Sequence, residues 1–199
     1  MRLVFASGNS GKLEEVRAVL GSKYEVLSIK DLEPILGSPA PAVEEVELTY
    51  RGNAQLKADA IYEWCGLPSL ADDSGLEVLA LDRRPGLYSA RYAGVGSSSE
   101  DNINKVLGEL EQVDDRRAQL VCSLCLRLDS RRHLFAEGRI DGVILRERQG
   151  QGGFGYDPLF YIEAQQRTIA EIKADKNDFA THRGAALRLL EQQLAESKN

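Results

Sequence analysis

Two adjacent carboxylates, Asp72 and Asp73, follow an apolar run and precede Ser74-Gly75. Acids at a strand end, with a glycine permitting a sharp turn, are suited to Mg2+, a hard cation that takes one or two carboxylates and keeps several waters. A further acid from Glu44 or Glu45 would complete such a set. The same residue types also form ordinary Asp turns, so this motif alone does not specify a metal. Upstream, Ser7-Gly8-Asn9-Ser10-Gly11-Lys12 lies between a strand pattern and a helix pattern. Exposed amides, a helix dipole and glycines make such a turn a cradle for phosphate, and Lys12 adds a point charge. It is not a Walker A loop, because Ala6 stands where the first glycine is needed and Leu13 follows the lysine.

Two further clusters carry polar or aromatic groups at chemically useful spacing. The run Gly150-Gln151-Gly152-Gly153-Phe154-Gly155-Tyr156-Asp157-Pro158 places four glycines in six residues. Glycine costs backbone entropy on folding, so close approach of a ligand is the expected reason for the run. Phe154 or Tyr156 would stack on a planar group and Asp157 would accept its hydrogen bonds. Thr181-His182-Arg183-Gly184, preceded by Lys173 and Lys176, supplies an imidazole and a planar guanidinium fork near a helix start. Tyr88-Ser89-Ala90-Arg91-Tyr92 adds another basic group in a loop. Neither histidine has zinc-site spacing, and Ser74 is not on a GxSxG elbow. Cys122 and Cys125 lie three apart on an expected strand, which points them to opposite faces and away from a shared zinc.

The elements that must position these groups read as α/β. Arg2 to Ala6 is an expected strand, Lys12 to Leu20 a helix and Tyr24 to Ile29 a second strand, a β-α-β opening. Lys30 to Glu47, with three prolines, reads as irregular, and Gly52 or Asn53 as the cap of a helix reaching Trp64. Pro68 to Asp72 and Leu76 to Leu81 read as two short strands around the Asp pair. Ala118 to Leu128 and Arg132 to Leu145 read as an antiparallel pair, with a bulge or bend at Gly142, and the segment from Thr181 to Glu196 as an amphipathic helix. The 199 residues form one expected domain, a mixed, partly antiparallel central sheet with flanking helices. With 25 basic against 31 acidic residues the net charge is −6, which excludes a broad basic face for nucleic acid but admits a short polyanion at a local positive patch. Few cysteines, no signal-like N-terminal run and no long apolar stretch predict a reduced, cytoplasmic protein without a membrane span.

Taken in order, these motifs resemble the Ham1/RdgB family of inosine/xanthosine triphosphate pyrophosphatases. The resemblance rests on Ser7 to Lys12, Leu48-Thr49-Tyr50 with Asn53-Ala54, Ala71 to Gly75, Pro85 to Tyr92, Gly152 to Phe160 and His182 to Gly184, and so spans nearly the whole chain. It implies a homodimer whose subunits have two lobes around a deep substrate cleft. It further implies Mg2+-dependent hydrolysis of non-standard purine nucleoside triphosphates (ITP, dITP, XTP) to the monophosphate and pyrophosphate. By the same resemblance, Ser7, Gly8, Asn9, Ser10, Gly11 and Lys12 wrap the triphosphate, Asp73 is the catalytic acid/base with Asp72 assisting, and Glu45 (or Glu44) joins Asp73 on the metal. Ser74, Ser89, Arg91, Phe154, Gly155, Tyr156, Asp157, Lys176, His182 and Arg183 complete the expected substrate contacts. Two departures stand out: Gly52 replaces the usual acid before Asn53, and Lys176 precedes His182 by six residues rather than five. The competing readings are a pyrophosphatase for modified pyrimidine nucleotides, as in Maf-type proteins, and a nucleotide-binding protein without turnover.

Overall fold

The chain opens with strand β1 (Arg2–Phe5), helix α1 (Ser10–Leu20) and strand β2 (Glu25–Ser28), which returns parallel to β1 with Leu3 opposite Val26. This is the expected β-α-β unit. The computed structural model describes residues 1–175 and 181–196. The next stretch is not irregular throughout, because helix α2 (Ile29–Leu36) occupies its start. Ser28 and Asp31 cap that helix reciprocally, each side chain accepting the other's backbone N–H, and Gly37 at φ +66° ends it. Pro34 lies inside this helix, where it donates no backbone hydrogen bond. Helix α3 (Tyr50–Cys65) is capped by Thr49 rather than by Gly52 or Asn53, the Thr49 hydroxyl accepting from Gly52 N–H at 3.0 Å.

The Asp pair corrects the expectation of two short strands. One strand, β3 (Ser69–Val78), runs straight through Asp72-Asp73-Ser74-Gly75. An Asp turn forms when the carboxylates bond their own backbone; here both find cations outside the strand. Short β4 (Arg84–Pro85) pairs antiparallel with the end of β3. Helix α4 (Ser99–Glu109), strands β5 (Arg117–Arg127), β6 (His133–Ile144), β7 (Phe160–Ile162) and β8 (Arg167–Thr168), and helices α5 (Ile169–Ala174) and α6 (His182–Glu196) follow. The strands form one mixed sheet in the order β2-β1-β3-β5-β6-β7-β8, with β4 beside β3. Pairing is parallel for β1 with β2 and β3, and antiparallel from β6 through β8.

The chain divides into two compact units. The first comprises Met1–Asp73, Cys122–Gly138 and Arg183–Asn199. Its strands bury both faces. Leu3, Phe5, Leu70, Cys122 and Leu124 pack with Val16 and Leu20 of α1 and Leu187 and Leu190 of α6. Val4, Ala71 and Cys125 turn the other way, onto Leu32 of α2 and Ala54, Ala58 and Ile61 of α3. Cys122 and Cys125 therefore do point to opposite faces, as period-two geometry requires. The second unit, Ser74–Val121 and Arg139–His182, has its own core of Leu76, Val78, Ile103, Val106, Leu120, Ile144, Phe160 and Ile172. Among the described residues no helix is long and apolar enough to cross a membrane.

Gly142 lies within β6, and crowding from the neighbouring strand is the reason for a glycine there. A Cβ at that position would fall on the Tyr161 carbonyl and within 2.7 Å of the Phe160 ring. Gly142→Ala is predicted to destabilise the protein by about 1–3 kcal/mol, the usual cost of overpacking. Urea unfolding measures this; an unchanged midpoint would contradict the close approach.

Candidate active site

Alternation along β3 sends its two carboxylates to opposite faces of the first unit. Asp73 shares a side with Ala71 and meets α3. On that helix Asn53 and Lys57 are four residues apart and so lie one above the other. Asn53 Nδ2 donates to Asp73 Oδ2 at 3.0 Å, while its Oδ1 accepts the Glu47 N–H at 3.0 Å. One amide thus ties the segment before α3 to the strand. Glu45, on that segment, reaches Lys57 Nζ at 2.6 Å, and the same ammonium lies 3.6 Å from Asp73 Oδ1. Glu44 is exposed, so Glu45 is the acid brought to Asp73. Burial pushes the Asp73 carboxyl above the usual carboxylate range, the Glu45 charge adds to this, and Lys57 and Asn53 only partly offset it. Lys57 moves upward too: burial works against its charge, but Asp73, Asp72 and Glu45 outweigh that.

The departure at Gly52 has a local explanation. A Cβ there would fall 2.8 Å from Glu47 Cβ and 2.9 Å from Glu47 Cγ, so the Glu47 side chain takes the space. Lys57 is the group that motif reading missed. Its position four residues after Asn53 on a helix was the available indication.

Asp72 takes the other side and does not join Asp73. Its Oδ2 receives Lys12 Nζ at 2.8 Å and the Arg183 fork at 2.9 and 3.2 Å. Arg183 Nη1 continues to Glu15 Oε1 at 3.1 Å. Asp72 and the Arg183 side chain are each only 1% exposed. Burial raises the Asp72 carboxyl, but Lys12, Arg183 and Lys57 overcome it and hold the group far below the usual range, ionised at any physiological pH. Asp72 anchors cations on the side opposite Asp73, because a strand cannot present neighbours to one face. Arg183 braces Asp72 and Glu15, and its guanidinium is enclosed.

The phosphate-like turn keeps its expected features. Asn9 caps α1, its Oδ1 accepting Lys12 N–H at 3.1 Å, and Ser7 Oγ accepts Asn9 N–H at 3.2 Å. Gly8, Asn9 and Ser10 are exposed, Ser7 and Gly11 half-buried. The turn therefore offers a helix N-terminus with Lys12 held beside it.

In the second unit the glycine run is explained by the protein's own packing. A Cβ at Gly152 would fall on the Ala170 carbonyl, one at Gly150 within 2.8 Å of Glu171 Cγ, and one at Gly153 on the Asp157 carboxylate. The loop thus lies against α5, which corrects the expectation that a ligand demands these glycines; Gly155 alone among those four has open space. Phe154 N–H donates to Asp157 Oδ2 at 2.8 Å. Tyr156 is buried and donates to the Ser89 carbonyl at 3.0 Å. Ser89 Oγ accepts Leu76 N–H and donates to the Gly86 carbonyl, so Ser89 secures its own turn. Arg91 lies 5.4 Å from the Tyr88 ring centre, and Ser74 is half-buried. His182 is buried at the start of α6. Lys176 lies outside the described residues.

The donor set suits a small hard cation. Glu45 and Asp73 already converge on one cationic group, Lys57 Nζ, and carboxylate oxygen is the ligand type Mg2+ takes. Among the described residues no group of three or more His, Cys, Asp or Glu is placed to hold a metal. An ion shared by Glu45 and Asp73 would then draw its other ligands from water and phosphate.

Comparison with known proteins gives a consistent picture. The model of the Ham1 family matches residues 3–193. A Staphylococcus epidermidis protein named dITP/XTP pyrophosphatase is 42% identical over 192 residues, covering 96% of this chain and 95% of its own. A Geobacter sulfurreducens protein of the same name is 43% identical over 196 residues, covering 97% and 96%. Among solved structures, the Staphylococcus aureus Ham1 protein superposes with a TM-score of 0.84 at 37% identity over the full length of both chains. A HAM1 protein from Coxiella burnetii gives 0.85 at 38% identity, covering 98% and 99%.

The Asp72 cluster yields a pH test. A carboxyl whose folded pKa is lowered stabilises the fold while ionised, and that contribution is lost as pH falls below its ordinary value of 3.8. Near neutral pH, Asp72→Asn should cost about 3–5 kcal/mol, since it leaves buried cations uncompensated. In urea unfolding the gap between wild type and variant should shrink as pH drops below that value. A gap constant across the acid range would contradict the assignment.

Proposed function

The chain belongs to the Ham1 family, and we propose that it hydrolyses non-standard purine nucleoside triphosphates such as dITP and XTP to the monophosphate and pyrophosphate. The observation that carries this reading is Asp73, a buried carboxyl shifted upward, hydrogen-bonded by Asn53 and flanked by Lys57 and Glu45. A protein that only binds nucleotide has no need to hold a carboxyl in that state. The activity named for the relatives and the chemistry available at Asp73 agree.

In this reading Asp73 takes a proton from water as the water oxygen bonds to the α-phosphorus. The bond from that phosphorus to the bridging oxygen breaks, and pyrophosphate leaves. Burial raises the basicity of the Asp73 carboxylate, and the Asn53 amide holds its Oδ2 in place. Mg2+ held by Glu45 and Asp73 would supply charge neutralisation across phosphate oxygens. Lys57 brings an ammonium to the same carboxylates. Lys12, fixed by Asp72, and the α1 N-terminus meet phosphate charge, with Ser7 to Gly11 lending amides. Phe154, Gly155 and Asp157 receive the base. A 6-oxopurine offers an acceptor where adenine offers a donor, and a buried mismatch of that kind costs about 1–3 kcal/mol. His182 is a candidate donor; Arg183 acts through Asp72. A cytoplasmic homodimer belongs to the same reading, and sedimentation of the purified chain tests its dimeric state.

Asp73→Asn should lower kcat for pyrophosphate release from ITP by roughly 10²-fold or more, the scale of a lost general base, while ITP still binds. Product analysis on a panel of ITP, XTP, dUTP and 5-methyl-UTP with Mg2+ checks both substrate class and bond cleaved. Preference for the pyrimidines, or orthophosphate as the direct product, would contradict the reading.

A further inference from the structure

Lys173 projects from α5 onto the loop that holds Phe154 and Asp157. Its Nζ lies 2.9 Å from Asp157 Oδ2 and 4.3 Å from the centre of the Phe154 ring. The same Asp157 oxygen accepts the Phe154 N–H at 2.8 Å. One ammonium therefore holds both the backbone turn and the ring of Phe154. The Lys173 and Asp157 side chains are only 9% and 6% exposed, so the pair is enclosed and not a solvated surface bridge. Ordering a lysine side chain costs rotamer entropy, which a charge-assisted bond and a cation–π contact together offset.

The loop is built around this pair. Gly153 has φ +76°, and a Cβ there would fall on the Asp157 carboxylate and 2.9 Å from Lys173 Cδ. Asp157 is fixed from its other end by its carbonyl, which accepts the Ala170 N–H at 3.1 Å, one turn before Lys173 on the same helix. Helix, lysine, carboxylate and ring form one closed circuit within the second unit.

We infer that Lys173 is the positioning residue of the base-binding segment, holding the Phe154 ring and the Asp157 carboxylate as one preformed platform for a planar 6-oxopurine. This rests on the reading of Phe154 to Asp157 given under Proposed function. Lys173 acts on the base end only, and it supplies no charge to the phosphates. Preformation matters because a ring free to rotate must be ordered when the base binds, which weakens binding without altering the bond-breaking step.

The test uses Lys173→Met, which keeps the aliphatic stem, and Lys173→Arg, whose fork can still bridge a carboxylate and lie on a ring. Steady-state kinetics with ITP and calorimetric binding of IMP and of pyrophosphate are measured for each. Lys173→Met should raise KM for ITP and Kd for IMP about ten-fold, about 1.4 kcal/mol. Its kcat should stay within roughly two-fold and its pyrophosphate Kd should not move. Lys173→Arg should recover most of the loss. If IMP and pyrophosphate loosen equally, Lys173 serves the phosphates and the inference fails. It fails also if IMP binding is unchanged and only the melting temperature falls. A wild-type chain that binds IMP yet releases no pyrophosphate from ITP would overturn the proposed activity; the IMP affinities of the variants would still decide the role of Lys173.

Discussion

Successive residues of an extended strand face opposite sides of its sheet, and in β3 this alternation falls on Asp72 and Asp73. Two groups identical in chemistry and adjacent in sequence are thereby delivered to different surroundings. Asp72 enters a face where α1 and α6 supply Lys12 and Arg183. Asp73 enters the face of α3, where an amide, a lysine and a second carboxylate await it. The rest of the candidate site depends on that strand continuing.

The two environments divide the labour of charge. Asp72 stays ionised and immobilises Lys12 beside the α1 N-terminus, with Arg183 and Glu15 extending the alternation of charge inward. Such enclosed pairs contribute little net stability, but losing one partner is costly, so the network fixes geometry more than it deepens the fold. Asp73 is held in the opposite condition, its burial favouring the protonated form and so raising its basicity once ionised. The net charge of −6 describes neither place. Part of the acidity is spent gripping lysine and arginine side chains inside the protein.

Much of this was legible in the sequence where local rules dominate. The β-α-β opening, the α1 turn with Lys12, the opposed cysteines and the terminal helix all follow from periodicity and helix capping, and the motif order pointed to the Ham1 family. His133 pairs with Asp59 at 2.7 Å, a contact within the first unit that neither segment signals by itself. What was not legible depends on partners distant in sequence. Asp72-Asp73-Ser74-Gly75 resembles a turn until Lys12, Lys57 and Arg183 are placed around it. Arg183 looked available because nothing in its own segment shows that Glu15 and Asp72 enclose it. The glycines at 150, 152 and 153 suggested a ligand, yet the surface pressing on them is α5 and its lysine. Helix α2 was hidden by Pro34, although its Ser28 and Asp31 cap stood in the sequence.

The separation of the two carboxylates can be observed directly by carbon-detected NMR titration of the aspartate side chains in the folded protein without nucleotide or metal. The Asp73 carboxyl should titrate above the ordinary value of 3.8, while Asp72 should remain ionised down to the acid limit of the folded state. Two resonances moving together near that ordinary value, or Asp72 taking up its proton before Asp73, would contradict it.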